Sequence, residues 1–264
     1  MQTFENKVAV ITGAASGIGL ALARRFAQAG MRLVLADIDA QQLAEVASEL
    51  KALAVPTDVT NPAHLNHLAE QTLHTYGAVH LLCNNAGVGG APGPIWETSL
   101  LEAEWILGVN LWGVIHGLRT FVPLMLRQNV EAHIVNTASV AGLLSPANLS
   151  FYNAAKHAVV TLSETLATDL AAIDAPIGVS VLCPAFTSTS IMDPRHRPAH
   201  LPPPIESPLT QAWAERFNRR VAKGLPPADI AGQVFAAVQA NRLHILTHPD
   251  FREEIADRTA RILA

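Results

Sequence analysis

The chain has 264 residues, half of them apolar, which is ample for the core of one large α/β domain. Its net charge is -4, and no run of Lys or Arg exceeds two residues, so it lacks the basic footprint of a nucleic-acid binder or of a protein held on an anionic membrane. The N-terminus is polar and leads straight into a strand, no apolar stretch is expected to reach the ~20 residues of a membrane span, and Cys83 and Cys183 each close an apolar run. Buried free thiols and a cytoplasmic location follow as expectations.

In chain order, 7–12 reads as a short β-rich run, followed by Gly13-Ala14-Ala15-Ser16-Gly17-Ile18-Gly19 and an amphipathic helix ending at Gly30. Strand, glycine turn and helix in that order form a phosphate cradle, because the glycines admit a close backbone approach and the helix N-terminus offers unpaired N–H groups. The spacing is Gly-x-x-x-Gly-x-Gly rather than the commoner Gly-x-Gly-x-x-Gly. The next strand, 32–36, ends in Asp37, placed to accept hydrogen bonds from an adenosine ribose and to repel a 2'-phosphate. No cation stands at Ser16 or Ile38 to offset that repulsion, so NAD is expected over NADP. Asp39 is the better placed of the two acids to cap the following helix.

A third strand over 53–57 leads to Asp58 and Val59, suited to the edge and face of an adenine. His64 and His67 lie one turn apart on the next helix, but nothing nearby completes a metal site, and a solvated face is the reading. The strand at 79–83 runs into Asn84-Asn85-Ala86-Gly87, which belongs on the cofactor side because ligands of such sheets sit at strand C-termini. A Gly- and Pro-rich loop over 88–96 precedes a long helical region, 100–127. There Asn110 among apolar neighbours reads as a satisfied core amide, and Pro123 is expected to bend or shorten the helix.

The buried strand 134–138 ends in Ser139, and the helix that follows carries Tyr152 and Lys156 on one face, one turn apart. A lysine ammonium beside a phenol pulls its pKa down from about 10 towards the working range of a general acid or base, and a hydroxyl at Ser139 reaches the oxygen whose proton Tyr152 handles. A sixth strand over 178–182 is followed by Cys183-Pro184-Ala185-Phe186-Thr187-Ser188-Thr189. The proline-dense 191–208 has no period and is long enough to be a lid. Helices over 209–223 and 228–240, a strand over 243–247 and a terminal helix over 251–263 complete the chain, with no internal repeat.

Together, the glycine turn with Thr12, Asp58-Val59, Asn84 to Gly87, Asn110, Ser139 and Tyr152-x-x-x-Lys156 resemble the short-chain dehydrogenases/reductases in order and spacing over about residues 5–190. The resemblance implies a Rossmann-type, doubly wound α/β sheet of seven largely parallel strands with helices on both faces, in a single domain with a substrate lid at 186–226. It implies that Tyr152 is the general acid/base and that Lys156 lowers its pKa and binds the nicotinamide ribose. Ser139 would hold the substrate oxygen, and Asn110 would join a water-linked relay to Lys156 in place of the core-amide role. Gly13, Ser16, Gly17, Ile18, Gly19, Asp37, Asp58, Val59, Asn85, Ala86, Gly87, Pro184, Thr187 and Thr189 are the cofactor contacts it implies, with no metal.

Leu143, Leu144, Phe151, Phe186 and Met192 are the expected substrate lining, with Trp96 and Trp213 as further candidates. These apolar side chains favour a hydrophobic secondary alcohol or its ketone, whereas Arg195, His196, Arg197 and His200 in the lid would instead suit an acidic substrate. The chain departs from the family in having Pro184-Ala185 where Pro-Gly is usual, and in lacking the Asp-Gly-Gly ending common in tetrameric members. A homodimer through the helices around Asn110 and Tyr152 is expected, with tetramer assembly in doubt. The rival readings are an NADP-dependent carbonyl reductase, a non-catalytic nucleotide sensor that kept the fold, and an epimerase or dehydratase built on the same Tyr/Lys pair. Sensors of that kind usually lose the Tyr or the Lys, and such epimerases usually carry a longer C-terminal substrate domain.

Overall fold

A computed structural model describes residues 1–191, 197–204 and 208–264. Met192, Arg195 and His196 of the expected lid lie outside the described residues. Seven strands, β1 (Val8–Thr12), β2 (Arg32–Asp37), β3 (Leu53–Pro56), β4 (Leu81–Asn84), β5 (Ala132–Thr137), β6 (Ile177–Cys183) and β7 (His244–Leu246), form one sheet in the order β3-β2-β1-β4-β5-β6-β7. Every pairing is parallel.

Parallel strands are joined by crossovers, and helices accordingly cover both faces. They are α1 (Gly17–Gln28), α2 (Ala40–Leu50), α3 (Pro62–Tyr76), α4 (Leu100–Leu107), α5 (Gly113–Gln128), α6 (Ser150–Ala172), α7 (Pro208–Ala222), α8 (Pro227–Gln239) and α9 (Arg252–Leu263). Side-chain alternation along the strands divides the core in two. Ala9, Ile11, Leu33 and Leu35 face α1, α2 and α8 through Leu22, Phe26, Leu43, Ile230 and Val234. Val8, Val10, Val34 and Ile134 face α3, α5 and α6 through Leu65, Leu68, Phe121, Met125 and Leu170. Phe26 and Phe121, each wholly buried, anchor the two layers at about 1.5–3 kcal/mol apiece.

Crossovers run one way from β1 to β3 and the other way from β4 to β7, so the strand order reverses between β1 and β4. At that point the connections diverge and leave a crevice at the strand C-termini. The glycine turn after Thr12 and the segment after Asn84 both open into it.

Pro123 does not shorten its helix, since α5 continues to Gln128; the proline lies on the exposed side, where water can take up the carbonyl freed one turn earlier. The helical run Leu100–Gln128 spans 29 residues, and an 18-residue window within it reaches a mean hydropathy of 1.2, enough by length and composition alone for a membrane span. Charges such as Glu104 and Arg119 interrupt the run in sequence, and within the fold it packs against α3 and α6.

Candidate active site

The site is built at the C-terminal ends of β1, β4, β5 and β6. Gly13 adopts φ +65°, and a Cβ there would lie 2.8 Å from the Ala86 Cα; at Gly19 a Cβ would lie within 1.9 Å of the Gly13 carbonyl, so neither position admits a side chain. Ser16 stands at the N-cap of α1 but its hydroxyl makes no capping bond, and the first turn carries no acid. The leading N–H groups of α1 thus face an anion-binding turn with no side-chain oxygen of their own. Ile18 and Ala86 are half-buried beside this turn, and Thr189 packs against Gly17.

Asp37 ends β2 as expected, and its two oxygens accept from the backbone N–H groups of Ala15, at 3.0 Å, and Asp39, at 3.1 Å. Its carboxylate therefore fastens the glycine turn to the end of β2. Asp39 is the helix cap, accepting from the Gln42 N–H at 3.0 Å. Asp58 accepts from the N–H and hydroxyl of Thr60, at 2.9 and 2.8 Å. His64 takes the Asp58 N–H on Nδ1, an arrangement that occupies the lone pair a metal would need, and Val59 is buried with its carbonyl against His116.

Asn85 faces inward, not outward. Its amide donates to the Thr12 carbonyl at 3.0 Å and its oxygen accepts from Thr137, which ties the ends of β1, β4 and β5 together. Thr12, which no local pattern singles out, is the hub of this knot: its hydroxyl accepts from the N–H groups of both Asn85 and Ala86, at 2.9 and 3.1 Å. The available signal was a hydroxyl at the last position of a buried strand.

Asn110 sits in a π-helical turn, Gly108–Trp112, between α4 and α5, a widening that recurs at functional sites. Its side chain is wholly buried, donating to the carbonyls of Val88 and Ile106 and accepting from the Val88 N–H at 3.1 Å. The amide is thus satisfied as a core amide would be, and it stands beside the reacting groups: a Cβ on Gly87 would touch both Asn110 Oδ1, at 2.9 Å, and Lys156 Nζ, at 3.5 Å.

Ser139 caps a short 3₁₀ turn, accepting from the Ala141 N–H, and its hydroxyl reaches the Pro184 carbonyl at 3.3 Å. Tyr152 lies near the start of α6 with its phenol in hydrogen-bond reach of Ser139, and the Lys156 ammonium stands 5.6 Å from the centre of its ring. Lys156 is buried and donates to the Thr137 carbonyl at 2.9 Å.

The electrostatics differ from the expectation. Burial pushes the Tyr152 phenol above its ordinary range, and the Ser139 hydrogen bond only partly opposes this. The cost of burial falls on the lysine too: desolvation takes Lys156 down to about 8, against a small opposing pull from Cys183. Spacing on a helix reports proximity, whereas burial decides which way both groups move.

On the substrate side, Phe151 and Tyr152 share a small cavity with Gly89, Ala91, Ile106 and Leu149. Leu143 is drawn towards the core around Val114 and Val159, and Leu144 is half-buried. Phe186 packs on Phe217 and Phe251, and Trp213 stacks on Phe217 at 4.9 Å. Trp96 is 81 % exposed and is absent from the cavity beside Tyr152 among the described residues. Arg197 pairs with buried Glu102 at 2.5 Å and also reaches the carbonyls of Leu201 and Pro202, so it is taken up inside the protein.

The family model for short chain dehydrogenases matches residues 7–199. The chain belongs to this family. A crystal structure of a short chain dehydrogenase/reductase from Burkholderia phymatum in complex with NAD superposes with a TM-score of 0.95 at 47 % identity, covering 99 % of this chain and 96 % of that one. A dehydrogenase/reductase of CLA biosynthesis from Lactiplantibacillus plantarum is 36 % identical over the whole of this chain and 95 % of its own length. A cyclohexanol dehydrogenase from an Acinetobacter species is 37 % identical over 72 % of this chain and 76 % of its own. In its general activity this short-chain dehydrogenase is therefore an NAD(P)-dependent oxidoreductase acting on CH–OH groups.

The residues present fit a dinucleotide. The glycine cradle admits no Cβ at Gly13 or Gly19, and Thr187, at the far end of the crevice after β6, holds a buried hydroxyl without a partner among the described residues. Such an orphan group inside a protein is costly unless a ligand meets it. Both thiols are buried and free, with Cys183 pushed up to about 12 by burial, so neither is a nucleophile at neutral pH.

The lowered lysine makes a stability prediction for this short-chain dehydrogenase. Between about pH 8 and its ordinary value of 10.5, the unfolded chain binds the Lys156 proton and the folded one does not. Stability from this group accordingly rises with pH across that window. Urea unfolding of wild type and Lys156→Met should show a free-energy difference that shifts in favour of wild type as pH rises; a difference independent of pH would contradict the burial of a charged amine.

Proposed function

We propose that this protein is an NAD-dependent dehydrogenase that interconverts a hydrophobic secondary alcohol and its ketone, with Tyr152 as the general acid/base. The observation that carries the reading is the convergence of Tyr152, Ser139 and Lys156 beside the crevice where the strand order reverses. NAD supplies the hydride acceptor when bound. Ser139 donates to the substrate oxygen and orients it. Tyr152 takes the hydroxyl proton as the alcohol is oxidised and returns it in the reverse direction. Lys156 holds a positive charge near the phenol and reaches the ribose, and Asn110 sets the groups through which its proton is replenished.

Gly13, Ser16, Gly17, Ile18 and Gly19 take the pyrophosphate. Asp37 takes the adenosine ribose, Asp58 and Val59 the adenine. Asn85, Ala86 and Gly87 line the middle of the crevice, and Pro184, Thr187 and Thr189 hold the nicotinamide end. Asn85 acts here through its backbone, since its amide is engaged by Thr12 and Thr137. Asp37 supports NAD over NADP, as does the relative from Burkholderia phymatum with NAD bound.

An apolar substrate is supported by Phe151, Phe186, Leu143 and Leu144, and by the loss of Arg197 to Glu102, which leaves it unavailable to an acidic substrate. The relative that acts on cyclohexanol points the same way. The described parts of the stretch read from the sequence as a lid, 186–191, 197–204 and 208–226, flank this substrate within one domain. A panel of cyclic and long-chain secondary alcohols and ketones, read by NADH absorbance with NAD and NADP in parallel, tests the reading. Turnover confined to polar or acidic substrates would contradict it.

The chain assembles as a homodimer through α4, α5 and α6. Support comes from the 100–128 helical run, which exposes Leu100, Leu101 and Trp112, the last by 52 %. Trp112→Glu should shift sedimentation from dimer to monomer, and an unchanged dimer would place the interface elsewhere.

A further inference from the structure

We infer that His248, beyond β7 and outside the reacting groups, is a positioning residue that holds the turn after β6 in its cofactor-binding shape. Its imidazole is bound at both nitrogens. Nδ1 faces the Ala185 N–H at 3.3 Å and the Thr247 hydroxyl at 2.7 Å, and Nε2 faces the Phe186 carbonyl at 3.0 Å. A backbone N–H only donates, so Nδ1 is the lone-pair nitrogen. Nε2 therefore carries the hydrogen and donates to Phe186. One neutral tautomer thus grips an N–H and a C=O on consecutive residues of the turn.

The turn so gripped has direct connections to the site. Pro184 offers its carbonyl to the Val140 N–H, at 2.8 Å, and to the Ser139 hydroxyl. One residue beyond Phe186 stands Thr187, whose buried hydroxyl has no partner among the described residues. Phe251 packs edge-on to His248 at 6.4 Å and also touches Phe186, which fixes the ring from the C-terminal side. Ala185, which departs from the family's usual glycine, is the residue whose N–H the histidine holds. The segment after β7 therefore reaches back to shape the end of the crevice after β6.

This inference rests on the NAD reading above. Full-length wild type, His248→Ala and His248→Gln are titrated with NADH by calorimetry, with melting temperatures and steady-state constants alongside. Loss of both bonds in His248→Ala should weaken NADH binding about tenfold and raise the KM for NAD more than it lowers kcat. Glutamine supplies one acceptor and one donor, so His248→Gln should recover binding to within about threefold of wild type. Unchanged NADH affinity in His248→Ala would overturn the proposal. Equal losses in both variants, following melting temperature alone, would also overturn it by making the role one of stability. Wild type that fails to bind NADH would instead remove the cofactor reading, and this inference with it.

Discussion

Tyr152→Phe should lower kcat by at least about a hundredfold, the lower end of what a positioned acid/base contributes, while NADH affinity stays within about twofold of wild type. The substitution removes one oxygen and keeps the ring, so the packing of α6 against the 3₁₀ turn after Ser139 is preserved. Because the phenol sits above its ordinary range, it is protonated at neutral pH. It is then ready to donate in ketone reduction, whereas alcohol oxidation needs the phenolate. Oxidation by wild type should accordingly speed up as pH rises, and the residual rate of the variant should not. Steady-state NADH absorbance in both directions measures this. A variant with most of its turnover intact would mean that another group moves the proton.

Asp37→Ala should reduce the ratio of kcat/KM for NAD over NADP by at least about tenfold, equivalent to about 1.4 kcal/mol. A carboxylate at the ribose position disfavours a 2'-phosphate by charge repulsion and favours a 2'-hydroxyl by accepting its hydrogen bond. The same carboxylate also holds the Ala15 and Asp39 N–H groups, so the alanine variant should lose some affinity for both cofactors through a looser glycine turn. Asp37→Asn separates the two effects, since it removes the charge and retains one acceptor. A ratio unmoved in both variants would place the ribose contact elsewhere, with Asp39 the nearest acid, although its side chain already caps α2.

Elements with a strong local code were legible in the chain. The glycine turn between β1 and α1 is one, because a backbone that must approach a phosphate admits no Cβ at Gly13 or Gly19. The spacing of Tyr152 and Lys156 on α6 is another, because the helical period alone puts them on one face. Asp39 was readable as a cap for the same reason: its partner, Gln42, lies three residues away. Groups whose partners are distant in sequence were not readable. Nothing local marks Thr12 as the anchor for Asn85, 73 residues later, or Glu102 as the partner of Arg197, 95 residues later. His248 likewise acquires its role only when β7 pairs with β6 and brings it to Ala185.

The order of strands and helices, the glycine cradle, the acid at the end of β2 and the Ser139, Tyr152 and Lys156 set follow from the amino-acid sequence alone, through period, turn chemistry and family pattern. Tertiary structure decided how those groups are charged and supported. Burial raises one pKa and lowers the other, Asn85 turns inward, Arg197 is withdrawn into an ion pair, and a histidine from the far end of the chain braces the turn after β6. The reason is physical: solvation and long-range hydrogen bonds depend on which surfaces meet, and neighbours in sequence do not report that.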